Sequence, residues 1–296
     1  MNFKAQRAGK KKMTKAVFFA ICTFLFLSVS CTSTKLNSSS KKLPECAEDE
    51  IAFVDYFGDI QICKINPNLK KNEYKAELFR REKSKMLYED ENFTVRQGID
   101  ISRHDKKVNW QKARKAGFDF VILRAAWRGY ESGILHEDEN FKKNIQGAIS
   151  AGFDVGVYVF SQAINEKEAS EEADFVLDLI KDYKITLPVV FDPENIGWEE
   201  ARTDNVSAEQ FTKNAIIFCK KIQNAGYEPM IYANLTWQMM RLDLEHLSEY
   251  KMWYADYSDI PQTPYHFDFW QHYSPKRVPG VQKKCDVNIM IEKLGG

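Results

Sequence analysis

The sequence predicts an α/β fold, an incomplete (β/α) barrel of the TIM-like kind whose last strands lack full helices. The first observation is a recurrence of short apolar runs from Gly98 onward. They are Ile99–Ile101, Phe118–Leu123, Val155–Phe160, Leu187–Phe191, Pro229–Tyr232, Lys251–Tyr254, Phe267–Gln271 and Val287–Ile291. The second is the helical pattern between the early runs, over Trp110–Ala116, Glu139–Ala151, Glu166–Tyr183 and Ser207–Ala225. Strand–helix alternation favours a parallel sheet, and eight strands in about 200 residues reach the lower size limit of a closed barrel. The third is the shortness of the connections after Lys251, which leaves no room for full helices. An open doubly wound sheet is the alternative, but no Gly-rich phosphate loop follows any run.

The chain divides as follows. Residues 1–31 read as a targeting segment: Lys4, Arg7, Lys10, Lys11, Lys12 and Lys15 lead an apolar stretch, Ala16 to Val29. That stretch is short for a bilayer span, which needs about 20 residues, and suits a secretory signal. Residues 32–44 are rich in Ser, Thr, Lys and Asn and read as a flexible linker. Residues 45–97 form an N-terminal extension, expected as a hairpin over Glu50–Ile65 around Gly58 and a charged helix over Glu73–Tyr88. Residues 98–296 are the barrel. Three of its helices end in Ala-Gly, at Ala116-Gly117, Ala151-Gly152 and Ala225-Gly226, as a left-handed C-terminal cap requires. Ser207 with Gln210 is a capping-box start.

Composition narrows the function. An apolar content of 44% with 13% aromatics supports a large packed core. The 42 basic and 42 acidic residues cancel, so no global field attracts nucleic acid, and no basic stripe occurs beyond the N-terminus. The four cysteines past the signal segment, Cys46, Cys63, Cys219 and Cys285, match no zinc spacing, and the five histidines are scattered, so no metal and no cofactor is expected. Cys46 and Cys63 are candidates for a bridge in an oxidising compartment. Glu166 to Glu172 reads as a solvated helix face.

The chemistry concentrates in LPVVFDPEN, Leu187 to Asn195. Alternate residues of a strand share a face, so Asp192 and Glu194 leave the end of this run on one side, with Cα atoms about 6–7 Å apart. Two acids facing one cavity are driven apart in pKa, one protonated and one ionised near neutrality. Acid-assisted cleavage of a glycosidic bond needs such a pair. The same D-x-E spacing occurs in ordinary surface loops, so the motif by itself decides little. In a barrel the chemistry sits at the C-terminal strand ends. Those ends carry Asp100, Arg124, Gln162, Asp192 and Glu194, Tyr232 and Asn234, Asp256 and Tyr257, and His272 and Tyr273. Arg124 is readable either as a substrate ligand or as the ion-pair partner of one of these acids.

Together the segments GIDISRHDKKVNW, FVILRAAWRG, NFKKNIQGAISAGFDVGVYVF, VVFDPE, PMIYANLTW, MWYADY and FWQHYSPKRVPGVQKKCDVN resemble glycoside hydrolase family 25, the Chalaropsis-type lysozymes, in that family's order and over about Gly98 to Ile291. The resemblance implies a muramidase that cleaves the β-1,4 bond between N-acetylmuramic acid and N-acetylglucosamine in peptidoglycan. It implies Glu194 as general acid, Asp192 as its assistant, and Asp100 and Asp286 lining the same pocket. It further implies sugar-binding walls from Tyr158, Tyr232, Trp253, Tyr257, Trp270 and Gln271. Two departures stand out. Pro193 separates the acids where the family has an aliphatic residue, and His104-Asp105-Lys106 replaces its His-Gln-Gly. The segment LSVSC, Leu27 to Cys31, likewise resembles a lipoprotein signal with Cys31 as the lipidated residue, although Ser28 stands where such signals carry Leu. The expected protein is an exported monomer, membrane-anchored through Cys31, with the peptidoglycan glycan strand as its partner. A non-catalytic cell-wall carbohydrate-binding barrel and a hydrolase of another N-acetylated glycan are the alternatives.

Overall fold

Residues 43–56, 58–196 and 200–295 are described by the structure, a computed structural model. The expected signal segment, Cys31 and the expected linker up to residue 42 lie outside the described residues.

Eight strands close into a barrel: β1 (Phe93–Ile101), β2 (Phe120–Arg128), β3 (Asp154–Ser161), β4 (Val189–Pro193), β5 (Pro229–Asn234), β6 (Lys251–Ala255), β7 (Phe269–Arg277) and β8 (Lys284–Lys293). Strands β1 to β7 pair in parallel, each with the next. Strand β8 runs antiparallel to both β7 and β1 and closes the ring. Chain length explains the reversal. A parallel return needs a crossover of about a dozen residues, and the few residues between Arg277 and Lys284 permit only a turn back.

Four α-helices are present among the described residues: α1 (Trp110–Lys115), α2 (Phe141–Ser150), α3 (Glu166–Ile180) and α4 (Ala208–Asn224). Asn109, Asn165 and Ser207 cap α1, α3 and α4 by accepting from a backbone N–H in the first turn. The glycines after α1, α2 and α4 all take positive φ, as their Ala-Gly ends anticipated. After β5 there is only a π-helical turn, Trp237–Arg241, and no helix separates β6, β7 and β8. The fold is thus a closed eight-stranded barrel with few helices.

Strand alternation sorts the side chains into two cores. Inside the barrel lie Phe120, Ile122, Val190, Met230, Trp253, Phe269 and Met290. Val121, Leu123, Val189, Phe191, Tyr254 and Trp270 face out, toward helices and the extension. Gly98 is required inside, because a Cβ there would stand 2.2 Å from the Phe120 ring. Pro193 ends β4, where ladder pairing stops and its missing N–H costs nothing.

The extension is woven onto the barrel. Glu50–Val54 and Ile60–Lys64 form an antiparallel pair. The helix expected over Glu73–Tyr88 is absent. A 3-10 turn, Ala76–Leu78, leads instead into a small hairpin of Arg80–Glu82 and Lys85–Leu87, with Lys83 at positive φ. Tertiary packing overrides local helix propensity here. Phe79 meets Trp270 at 5.1 Å and Tyr74 meets Phe267 at 5.0 Å, both edge-on, and Tyr74 Oη donates to the Phe267 carbonyl at 2.6 Å. Arg81 reaches across to the Ser258 and His272 carbonyls and to Asp259.

Two more expectations are corrected. The Cys46 and Cys63 thiols are free rather than bridged. Glu172 is not solvated: it is fully buried and accepts from Arg128 Nε at 2.7 Å, because α3 turns this position onto the barrel.

Where the resembled family has glycine, Lys106 follows a 3-10 turn closed by Ser102 and Asp105 and adopts φ 67°, ψ −125°. An L side chain is strained there. Lys106→Gly is therefore expected to stabilise the protein by about 1 kcal/mol, read as a higher denaturant midpoint at unchanged slope. A lower midpoint would show that the lysine side chain offsets the strain.

Candidate active site

The C-terminal side of the parallel strands and the N-terminal end of the antiparallel β8 converge on one cavity of about 120 Å³, lined by Asp100, Tyr158, Asp192, Glu194, Tyr232, Trp253, Tyr257, Gln271 and Asp286. Each barrel position follows from strand alternation. Asp192 shares the inner face of β4 with Val190, and Glu194 follows two residues later at the rim. Asp286 sits opposite Asp100 across the β8–β1 pair. All four acids singled out in the sequence are thus brought together.

One expected wall residue is not. Trp270 is fully buried on the outer face of β7, packed against Phe79, and its indole N–H donates to the Asp256 carbonyl at 2.8 Å. Adjacent strand residues point to opposite faces, so Trp270 and Gln271 could not both enter the cavity. Gln271 is the one that does.

A directed hydrogen-bond network fixes the cavity. The Tyr232 and Tyr257 hydroxyls both donate to Gln271 Oε1, at 2.9 and 2.8 Å. This turns the Gln271 amide nitrogen toward Asp100 Oδ2, at 3.0 Å. Trp253 Nε1 donates to Asn288 Oδ1 at 2.9 Å, and Asn288 Nδ2 then donates to the same Asp100 oxygen at 2.8 Å. An indole N–H can only donate, so Trp253 sets which way the Asn288 amide faces. Asp100 thereby receives two amide donors. Asn288 escaped the sequence reading, although its signal was present: it lies two residues past Asp286, hence on the same face.

Arg124 is an ion-pair residue whose partner is none of the cavity acids. Its Nε donates to the buried Asp138 at 2.8 Å. Gln162 Nε2 donates to the Glu194 carbonyl at 2.9 Å, and its own Oε1 accepts from Thr203, so the rim after β4 is pinned.

Burial raises the pKa of these acids, and neighbouring acids add to it. Glu194 is pushed up to about 7, first by desolvation, with the Asp286 charge adding to it. Asp192 is raised well above the usual carboxylate range by burial, Glu194 and Asp100, against a smaller pull from Arg124. Its Oδ1 is buried with no hydrogen-bond partner among the described residues. Asp100 is raised by burial and by Asp286, while the Asn288 and Gln271 amides favour its ionised form. No lysine or arginine pairs with Glu194 among the described residues. The arrangement therefore holds a protonated carboxyl at the rim near neutral pH, above acids whose charge is restrained by burial.

Comparison with known proteins decides the family. The family model for glycosyl hydrolases family 25 matches residues 99–281, more than half of the chain. The chain belongs to glycosyl hydrolase family 25. Relatives of this family 25 chain include an uncharacterised protein, YegX, of Escherichia coli strain K12, 26% identical and covering 67% of this chain and 71% of its own. Lysozyme M1 of Streptomyces globisporus is 26% identical, covering 65% of this chain and 66% of its own. Among solved structures, the modular autolysin LytC of Streptococcus pneumoniae, in complex with a synthetic peptidoglycan ligand, superposes with a TM-score of 0.61 at 21% identity. That likeness, a likeness of fold, covers 82% of this family 25 chain but 57% of the autolysin.

Proposed function

We propose that this family 25 protein is a peptidoglycan muramidase, cleaving the β-1,4 bond between N-acetylmuramic acid and N-acetylglucosamine, with Glu194 as general acid. The observation that carries this reading is the convergence of Asp192 and Glu194, with Asp100 and Asp286, in one aromatic-walled cavity. Glu194 there has no basic partner among the described residues and an elevated pKa. The names of lysozyme M1 and of the autolysin's peptidoglycan complex support the substrate.

In this reading Glu194 gives its proton to the leaving glycosidic oxygen. Positive charge then develops on the sugar ring in the acid cavity. Asp100 lines that cavity, and its two amide donors favour its ionised form, against burial, as the positive charge develops. Asp192 has an unsatisfied buried oxygen facing the same space and orients the substrate's acetamido group. Tyr158 and Trp253 form the apolar floor beneath it.

Residues 45–296 are expected to release reducing ends from peptidoglycan. After borohydride reduction the new ends are muramitol; glucosaminitol in its place, or release from chitin oligomers alone, would reassign the substrate. Binding to the glycan without product would identify a binding barrel. Activity is expected to fall as pH rises through about 7, because Glu194 then loses the proton it must donate. A rate still climbing at pH 8.5 would exclude Glu194 as the acid.

The N-terminal pattern supports export as a membrane-anchored lipoprotein through Cys31, which places the protein in the cell envelope. Loss of the acyl mass on Cys31→Ser tests the anchor. The seven parallel strands and the helices between the early ones support reading the barrel as an incomplete (β/α) barrel of the TIM-like kind.

A further inference from the structure

A second cavity, of about 350 Å³, adjoins the acid cavity and shares Glu194, Tyr232 and Tyr257 with it. Its far wall comes from outside the barrel: Phe53, Val54, Asp55 and Tyr56, at the end of the first strand of the N-terminal hairpin. These residues precede the stretch matched by the family model, which begins at residue 99. The wall therefore belongs to this chain's extension and not to the family's common barrel.

The wall is built rigidly. Phe53 is 2% exposed and joins the main core. Asp55 closes the hairpin turn, accepting from the Asp59 backbone N–H at 2.9 Å and from Gln61 Nε2 at 2.7 Å. The chain leaving the hairpin is stitched to the loop before β7: Asn66 N donates to Tyr265 Oη, Asn72 N to the Pro264 carbonyl, and His266 N to the Lys70 carbonyl. Tyr56, by contrast, is 52% exposed, and Tyr257 across the cavity is 53% exposed. Two half-exposed aromatic rings thus border the space beside Glu194, which Asn234 and Asp256 also line.

The position of Glu194 assigns the two cavities. Positive charge develops on the sugar whose bond to the leaving oxygen breaks, so that sugar occupies the cavity with Asp100, Asp192 and Asp286. Glu194 protonates the oxygen on the leaving side. The leaving sugar must then lie beyond Glu194, in the cavity bounded by the hairpin. We propose that residues 53–56 of the extension form the binding wall for the leaving-side N-acetylglucosamine and the glycan beyond it, with the Tyr56 ring stacking on a sugar face. This rests on the hydrolase reading above.

The test compares two substrates on the intact 45–296 chain. One is polymeric peptidoglycan, whose leaving side is glycan. The other is an aryl glycoside, whose leaving group is a flat ring without the sugar's hydroxyls, its acetamido group or any glycan beyond it. Tyr56→Ala is expected to lower kcat/KM on the polymer about 3- to 10-fold more than on the aryl glycoside, mainly through KM, as loss of one aromatic stacking contact predicts. Ile62→Ala, an exposed hairpin residue outside the cavity wall, serves as the control and retains wild-type values. In a Glu194→Gln background, Tyr56→Ala should weaken binding of a saccharide fragment of peptidoglycan by the same factor. Equal losses on both substrates, unchanged binding, or a faster Tyr56→Ala enzyme would overturn the assignment and leave the hydrolase standing. A wild-type chain inactive on both substrates would instead remove the hydrolase reading itself.

Discussion

Glu194→Gln is expected to lower turnover of peptidoglycan at least about 100-fold while making the folded protein more stable above pH 7. The two effects share one cause. Burial holds the Glu194 pKa at about 7, against an ordinary 4.5. Between those values the native state keeps a proton that the unfolded chain has released, so stability is greatest below about 4.5 and declines as pH rises through 7. Above that range the native protein carries a carboxylate in a poorly solvated cavity beside Asp192 and Asp286. The amide removes this cost, on the order of 1–3 kcal/mol, and with it the proton the reaction needs. Melting curves of the two proteins should separate by several degrees at pH 8 and converge near pH 4.5. Near-wild-type turnover would take the acid role from Glu194. A lower melting temperature for the variant at pH 8 would show that the cavity stabilises the charge.

Deleting residues 45–89 is expected to abolish folding, although the family match lies wholly outside them. The extension contributes Phe53, Tyr74, Phe79, Met86 and Tyr88 to the same buried core as the outer barrel face. Without it, Trp270 and Phe267 would meet water, and the Arg81 contacts that hold the loop after β6 would be lost. Truncating one large buried aromatic costs about 3–5 kcal/mol, against a total stability of about 5–15 kcal/mol for a typical domain. Phe79→Ala, the milder change, should lower stability by about 3 kcal/mol with the cooperative transition retained. Residues 90–296 produced alone should be insoluble or lack a cooperative melt. A truncated chain that melts within a few degrees of the longer one would make the extension an accessory.

Local patterns made much of the barrel legible. Apolar runs, Ala-Gly helix ends and the Ser207 cap are short-range signals, and each is present at its expected place. The D-x-E spacing needed only strand alternation to aim Asp192 and Glu194 together. The same rule, applied to Trp270 and Gln271, would have excluded one of them. The helix expected over Glu73–Tyr88 failed because its residues answer to Phe267 and Trp270, nearly 200 positions away. Glu172 was misread for a similar reason: nothing near it in sequence announces Arg128 as a buried partner.

The chain's own order of residues determined the barrel strands and the common aim of Asp192 and Glu194, which follow from periodicity of two or 3.6, and the family resemblance that implied Asp100 and Asp286 beside them, which rests on motifs only a few residues long. Which way β8 runs, how the Trp253–Asn288–Asp100 relay is oriented, where Trp270 points and what stands across from Glu194 were decided in three dimensions. Each of these depends on groups far apart in sequence competing for the same space and the same hydrogen bonds, and such competition has no local signature.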